Sequence, residues 1–473
     1  MGQKRSSAER WMAIAMAGGA IAACSGDGPR SADVATVRAA VSAGQAAAGQ
    51  AKFDAPTSGT NGRSCATCHV ESEHTILTPA NAQARYAANP HDPLFLPVDA
   101  DDPAAATPTY AHVLAGLVRI TLPLPANMDV VDSAGSVVTP GDRRISVWRS
   151  VPSVDNTSYT APYLSDGRAA TLEDQALGAL DAHGQETHAV GGGNLKLIAD
   201  YESTKFSSAR ASSVASQFAA GTPVSAIANP EDSDLSSGNA IYVRACKGCH
   251  GSATDNRITN RAAHDQLFFA LKPDGNLVFQ RIPTGPSSSI VVPVLASRPN
   301  DEFLNVGFAF ISYLGQVGAF PAANAGVSLP HYRFRFYTDA TRTQKVTDLP
   351  PPPAGPPGSV PTDPATGFPI VGPNFGAQEF STDPGRALIT GDPADFEAFD
   401  IPQLRGIAST APYMHDNSLA TLRDVVDVYS RFILGAIPAL NVPAVNAPEA
   451  PGLPPEALSP SEKASLLQFL QTF

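Results

Sequence analysis

Cysteine is scarce in this chain: there are five in 473 residues, and their placement leaves none for a disulfide. Four sit as close pairs in "CATCH" (Cys65, Cys68) and "CKGCH" (Cys246, Cys249), and the fifth, Cys24, ends the N-terminal leader. Basic residues are outnumbered, 32 Lys and Arg against 44 Asp and Glu, which argues against nucleic acid as a partner. The apolar stretch of the leader is short and broken by Gly18 and Gly19, so it does not read as a transmembrane helix. Tryptophan is reduced to Trp148 once the leader is set aside. Proline and glycine, by contrast, are plentiful: 43 and 38 residues, with 43% hydrophobic residues. The chain is therefore globular and loop-rich, with enough apolar material for two domains.

The leader carries Lys4, Arg5 and Arg10, then small and apolar residues up to Cys24, the layout of an export signal over residues 1–23. "IAAC" at 21–24 resembles a bacterial lipobox, which makes Cys24 the expected lipidated first residue of the mature protein; an ordinary secretory signal with a chance cysteine is the other reading. Lipidation predicts a membrane partner through the anchor. Ser25 is not the aspartate that retains lipoproteins at the inner membrane, so the expected location is the periplasmic side of the outer membrane, or the cell surface. Removing Lys4, Arg5, Arg10 and Glu9 moves the formal charge from -12 to -14. Such an acidic surface suits a basic redox protein as electron donor.

C-x-x-C-H is the attachment motif of c-type haem: two thiols add to the vinyl groups and the adjacent histidine is held beneath the iron. Cys65, Cys68 and His69 form one such set, and Cys246, Cys249 and His250 the other. Zinc is the rival reading of paired C-x-x-C, but the following histidine at both places and the export route favour two covalently bound haem c groups, with His69 and His250 as iron ligands.

These motifs divide the chain. A small-residue tether (24–51) precedes a first c-type haem unit (52–232) and a second (233–473), the boundary falling in the turn-rich "ANPEDSDLSSG" at 228–238. Residues 349–373 are too rich in proline for helix or central strand and read as an exposed insertion. "SPSEKASLLQFLQTF" closes the chain as a helix capped by Ser459 or Ser461. The expected fold class is mainly α: two cytochrome c-like haem domains with long irregular loops.

The chain also repeats itself. "APYLSDGRAATLEDQALGAL" runs from Ala161 to Leu180, and "APYMHDNSLATLRDVVDVYS" from Ala411 to Ser430. Each copy predicts a Pro (Pro162, Pro412), an Asp in a turn (Asp166, Asp416) and a helix capped by Thr171 or Thr421. Leu172, Ala176, Ala179 and His183 share one face of the first helix; Leu422, Val425, Val426 and Tyr429 share the matching face of the second. A porphyrin is the apolar surface such faces would cover.

These residues resemble the bacterial di-haem cytochrome c peroxidase and MauG-like family. The resemblance is strongest at "SDGRAATLEDQALG" (165–178) and "FDIPQLRGIASTAPYMHDNSLATLRDVVDVY" (399–429), with "GNGR.CATCH", "DPLF" and "DPGRAL.TG" pointing to an uncharacterised branch, here at Gly62 to His69 (Asn61 preceding), Asp92 to Phe95 and Asp383 to Gly391. It implies that the first haem meets peroxide and the second relays electrons. The family's sixth ligand to the relay iron lies fourteen residues after a histidine that here is His415, so it falls on Tyr429; Met414 and His415 are its rivals. Ordinary members have Met there and the tryptophan-modifying member Tyr, a large chemical change because phenolate favours oxidised iron and thioether reduced iron.

In the first copy Ala179 occupies the position of Tyr429, and a methyl cannot bind iron. The first haem is either open on its distal side or closed from elsewhere; His183, one turn on, caps the iron or acts as a distal acid/base. Gln175 matches the family's distal Gln. Its distal Glu falls on Gln185, with Glu186 beside it, and Ser165 replaces its inter-haem Trp. The resemblance further implies a calcium ion at a position formed here by Ser150, Thr410 and Pro412, Ser150 standing for an Asn. The sequence thus predicts a peroxidase-like oxidoreductase that activates hydrogen peroxide, or an oxygen-derived oxidant, with Gln175, His183 and Glu186 as catalytic candidates and electrons routed through the second haem. The alternatives are a pure electron-transfer cytochrome and a haem oxygenase-type enzyme acting on an apolar substrate.

Overall fold

The computed structural model describes residues 41–220, 222, 236–250, 278–285, 288–294, 303–304, 311–312, 322–324, 326–350, 380–434 and 456–473. The leader with Cys24, the first part of the boundary segment, Arg261, His264, the apolar stretch at 268–271, most of that at 308–315, and the proline-rich insertion beyond Pro350 lie outside the described residues, as does the side chain of Cys249. No described helix is long and apolar enough to cross a membrane.

Helices surround both cysteine motifs. At the end of the expected tether, Ser42 caps helix α1 (Ala43–Asp54), its side chain accepting from the Gln45 amide while Gln45 reaches back. α1 packs on helix α5 (Gly192–Glu202) at Gly49, where any Cβ would collide with the Leu197 carbonyl oxygen and lie 2.8 Å from Tyr201 Cβ. The second motif repeats this device. Helix α7 (Ser237–Ala245) buries Ile241 and Tyr242 and runs into the short helix α8 (Lys247–His250). α7 packs on the terminal helix α11 (Pro460–Leu470), and there Gly238 meets the Ser465 carbonyl and Phe469 Cβ. Ser459 caps α11, as its sequence predicts, with Glu462 completing the box.

Strands are more numerous than a mainly α chain would have, so the content is mixed. β1 (Leu117–Pro123) pairs antiparallel with β3 (Arg144–Ser150), and β2 (Met128–Val131) with β7 (Arg333–Tyr337), which also pairs with β8 (Lys345–Leu349). Two further pairs are β4 (Val278–Gly285) with β5 (Ser288–Val294) and β6 (Phe303–Leu304) with β9 (Phe399–Asp400). The physical reason is visible in "LVRITLP" and "RFRFY": side chains alternate, and Leu117, Phe334 and Phe336 go into the core while Arg335 stays at the edge with Asp348. One core cluster joins these strands to Leu77, Leu94 and Phe396; another gathers Tyr242, Leu404, Leu422, Val426 and Leu466.

The two copies of the repeat adopt one conformation without a single insertion between them, so that Ala161 matches Ala411 and Leu180 matches Ser430. Ala161–Pro162 and Ala411–Pro412 are both cis, and Leu164 and Met414 are both left-handed, each with φ 71°. Bridges Tyr163–Ala169 and Tyr413–Leu419 match. Thr171 and Asp174 form a capping box on α4 (Leu172–Ala182), and Thr421 and Asp424 form one on α10 (Leu422–Val428). The strand leading into each copy holds the other copy: Ser150 N, at the end of β3, donates to His415 O at 2.6 Å, and Asp400 N, at the end of β9, donates to Ser165 O at 2.8 Å.

Candidate functional site

His69 follows a single 3-10 turn (Cys65–Thr67), and the loop after it doubles back. His74 and Thr75 both take left-handed backbone, φ 54° and 61°, which aims the Thr75 carbonyl at the imidazole. His69 Nδ1 bonds that oxygen at 2.9 Å. The strained turn is held from the other side by Ser153 Oγ donating to His74 O and Val154 N donating to Thr75 Oγ1.

His250 is arranged alike: it is buried, and its Nδ1 bonds the carbonyl oxygen of Pro402 at 3.0 Å. The residue of the first copy matching Pro402 is Pro152, whose carbonyl also acts on His69. A carbonyl can only accept, so each Nδ1 carries the hydrogen and each Nε2 keeps a lone pair. Burial lowers both histidines from the usual imidazole range, against the opposing pull of those carbonyls. A neutral, oriented imidazole is what an iron ligand requires.

Both histidines open onto one cavity of about 390 Å³. Its walls are apolar near each histidine: Ile76, Leu77, Val151, Val154 and Leu172 on one side, and Leu404, Leu422, Val425, Val426 and Leu466 on the other. Burial pushes the Cys65 thiol well above its ordinary range, and the Cys68 thiol up to about 11. The two oriented histidines and the apolar walls fit a large flat apolar group such as a porphyrin. Among the described residues no group of three His, Cys, Asp or Glu side chains could hold a metal ion on its own.

Tyr429 and Ala179 occupy matching places in different surroundings. α10 ends at Val428, and Tyr429 opens a π turn (Tyr429–Ile433), a local widening that often marks a functional position. Its ring lies on the cavity, 6.3 Å from that of His250. Its rival His415 also lines the cavity but is stacked on Phe399 at 4.1 Å. Around Ala179, α4 continues without a break and ends where the amide of His183 donates to Ala179 O.

Of the three catalytic candidates, Gln175 lines the cavity with His69, and its Oε1 is buried without a hydrogen-bond partner. His183 acts electrostatically on His69, and its Nδ1 stands 3.6 Å from Asp99 Oδ2. Glu186 lies off the cavity, with one buried oxygen unpartnered. Gln185, at the family's Glu position, instead accepts from Asn61 Nδ2 at 3.1 Å. His74 is on the cavity rim, 4.0 Å from Asp155, and His91 is exposed. Trp148 packs in the core, stacked on His112 at 3.8 Å. Ser165 lies on the cavity between the two sides, and Ser150 spends its hydroxyl hydrogen on Met414 O.

Asp99 was not legible as a site residue. It is buried, takes the Arg63 guanidinium and the Arg119 amide, and faces His183. Burial alone would raise its carboxyl, but His183 and Arg63 outweigh that and hold it well below the usual carboxylate range. Arg63 in turn donates to Pro93 O and Leu94 O, and Asn61 donates to His183 O. The stretch "TNGRSC" before the first motif is therefore bound to the end of α4. Its one sequence signal is an arginine two residues before Cys65.

No family model matches the chain. A cytochrome-c peroxidase, IdrP2 of Denitromonas iodatirespirans, is 39% identical over 90 residues, which are 19% of this chain and 21% of that protein; the chain thus matches about a fifth of that relative's length. A MauG-like protein associated with microbial copper homeostasis aligns over 94% of both chains at 19% identity and a TM-score of 0.36. The di-haem peroxidase BthA from Burkholderia thailandensis E264 aligns over 92% of this chain and 88% of its own at 16% identity and a TM-score of 0.34. The chain thus carries paired C-x-x-C-H motifs with an oriented histidine in each, and over 90 residues it is similar to a bacterial cytochrome-c peroxidase.

Proposed function

We propose that the protein is a di-haem peroxidase-like oxidoreductase, with one haem c bound through Cys65, Cys68 and His69, a second through Cys246, Cys249 and His250, and hydrogen peroxide as oxidant at the first. The observation that carries this reading is the pair of histidines whose Nδ1 hydrogens are committed to backbone carbonyls, Thr75 and Pro402, on the walls of one cavity. Bound haem would supply electron exchange and a Lewis-acidic iron at which the oxygen–oxygen bond is polarised. His69 and His250 hold their Nε2 lone pairs toward it. On the first side Ala179, at the place matching Tyr429, offers no side chain that would bind iron, and Gln175 lines the cavity. His183 carries and returns a proton at its ring, steadied by Asp99. On the second side Tyr429, its ring 6.3 Å from that of His250, is the candidate that would hold the second haem's iron through its phenolate. The lipid anchor at Cys24, the outer-membrane location and an electron donor of basic surface complete the reading.

The test is a pyridine haemochrome assay and an electron paramagnetic resonance titration with peroxide on the purified full chain. Two haems per chain are expected, one lost in Cys65→Ala/Cys68→Ala and the other in Cys246→Ala/Cys249→Ala. A peroxide-responsive high-spin signal should be weakened by Gln175→Ala. Two haems without any peroxide response would favour electron transfer alone, and a chain without haem would end the reading.

A further inference from the structure

The duplication leaves one carboxylate stranded. In the first copy Asp166 is fully buried, and its Oδ2 is held by two guanidinium groups, Arg149 and Arg168. The matching aspartate, Asp416, is retained and just as buried, at 1% exposure. Both arginines are gone: in the register that sets Asp416 on Asp166, Phe399 stands for Arg149 and Ser418 for Arg168. Asp416 Oδ1 accepts from the Ser418 amide at 3.1 Å, but Oδ2 has no hydrogen-bond partner. Among the described residues no cationic side chain is paired with it.

Two more oxygens nearby share this condition. Asn324, at 0% exposure, donates from Nδ2 to Asp416 O at 2.8 Å, and Ala323 N donates to Asn417 O at 3.2 Å, so the two segments are tied side by side. Asn324 Oδ1 and Ser418 Oγ, like Asp416 Oδ2, are buried without a partner. A charged carboxylate does not stay buried alone. One hydrogen on the carboxyl would satisfy only one of the two other oxygens, and a water would satisfy hydrogen bonds while leaving the charge uncompensated. A cation answers both needs, and an all-oxygen set of carboxylate, amide and hydroxyl is the chemistry of hard cations.

We propose that Asp416, with Asn324 and Ser418, forms a binding site for a small hard cation of the calcium class, completed by water. The site replaces the two arginines of the first copy and clamps the turn that connects the cavity wall at His415 to helix α10. It is distinct from the position formed by Ser150, Thr410 and Pro412, with which it shares no residue.

The experiment uses the haem-loaded full chain, dialysed against chelator and titrated with Ca²⁺ by calorimetry, with metal content measured before dialysis. The wild type should take up calcium and melt at a higher temperature with it. Asp416→Asn should lose one equivalent or weaken binding at least tenfold, and Asn324→Asp, which adds charge at the same place, should tighten it. Ser150→Ala should leave this equivalent unchanged. No uptake by the wild type would overturn the proposal, as would uptake lost in Ser150→Ala but kept in Asp416→Asn. Should Asp416→Asn fail to fold, an unchanged affinity in Asn324→Asp would overturn it alone.

Discussion

The ring of Tyr429 stands 6.3 Å from that of His250, centroid to centroid and tilted by 47°, while the His415 ring lies nearly parallel on Phe399. Among the three candidates Tyr429, Met414 and His415, Tyr429 is the one whose ring is set beside His250. Tyr429→Phe should therefore change the absorption and paramagnetic spectrum of one haem, and His415→Ala should leave its coordination as it was. The reverse pattern, measured on the same two variants, would make the second haem bis-histidine.

Asp99 links Arg63 to His183, and its loss should be felt in both stability and spectra. Asp99→Asn leaves a buried guanidinium without its counter-ion, so a cost of about 3–5 kcal/mol in denaturant unfolding is expected. Because the folded-state carboxyl lies below the ordinary range near ~3.9, its contribution is complete above that pH and is lost as the pH falls toward the depressed value. Acid unfolding of the wild type should carry this component, and the variant should lack it. An unchanged first-haem spectrum in a folded Asp99→Asn would show that His183 needs no such support.

Arg149 joins the two copies' surroundings, bonding Asp383 through Nε at 2.6 Å and Nη2 at 3.0 Å while pairing with Asp166. Arg149→Met should cost about 3–5 kcal/mol, because it leaves buried Asp383 without its guanidinium and Asp166 with Arg168 alone. Asp383→Asn in the same background should recover part of that, because the stranded charge is then gone. A double-mutant cycle with no coupling would refute the linkage.

Gly49 and Gly238 let their helices touch a partner helix backbone to backbone. Gly49→Ala and Gly238→Ala should each destabilise by about 1–3 kcal/mol, since the added methyl meets a carbonyl oxygen that cannot move aside. Thermal melting of the two variants checks this. Gly44→Ala, with nothing near its added Cβ, should stabilise helix α1 slightly instead.

The local chemistry was legible because it is local. C-x-x-C-H names its own ligands, a threonine with an acid three residues on names a helix start at Leu172 and Leu422, and the two stretches that open at Ala161 and Ala411 announce two copies of one unit. The strands at "LVRITLP" and "RFRFY" were not expected, and they are what turns a mainly α reading into mixed content. Such segments pair with partners far away in sequence, as Met128 does with Phe336 where β2 meets β7, and no local signal names such a partner. The tether's last residues became helix because Gly49 found a groove on α5, a helix that does not begin until Gly192.

The two C-x-x-C-H motifs, the repeat, and the position at which its copies differ, Tyr429 against Ala179, are thus properties of the chain before it folds. Folding alone settles which carbonyls orient His69 and His250, that both histidines share one cavity, that Asp99 stands behind His183, and that Asp416 is buried without the arginines that hold Asp166. The difference lies in the range of the interactions. Covalent attachment and capping act over a few residues and leave a motif, whereas hydrogen bonding, burial and charge compensation act between any residues the fold brings together, so they are written in no single stretch of the chain.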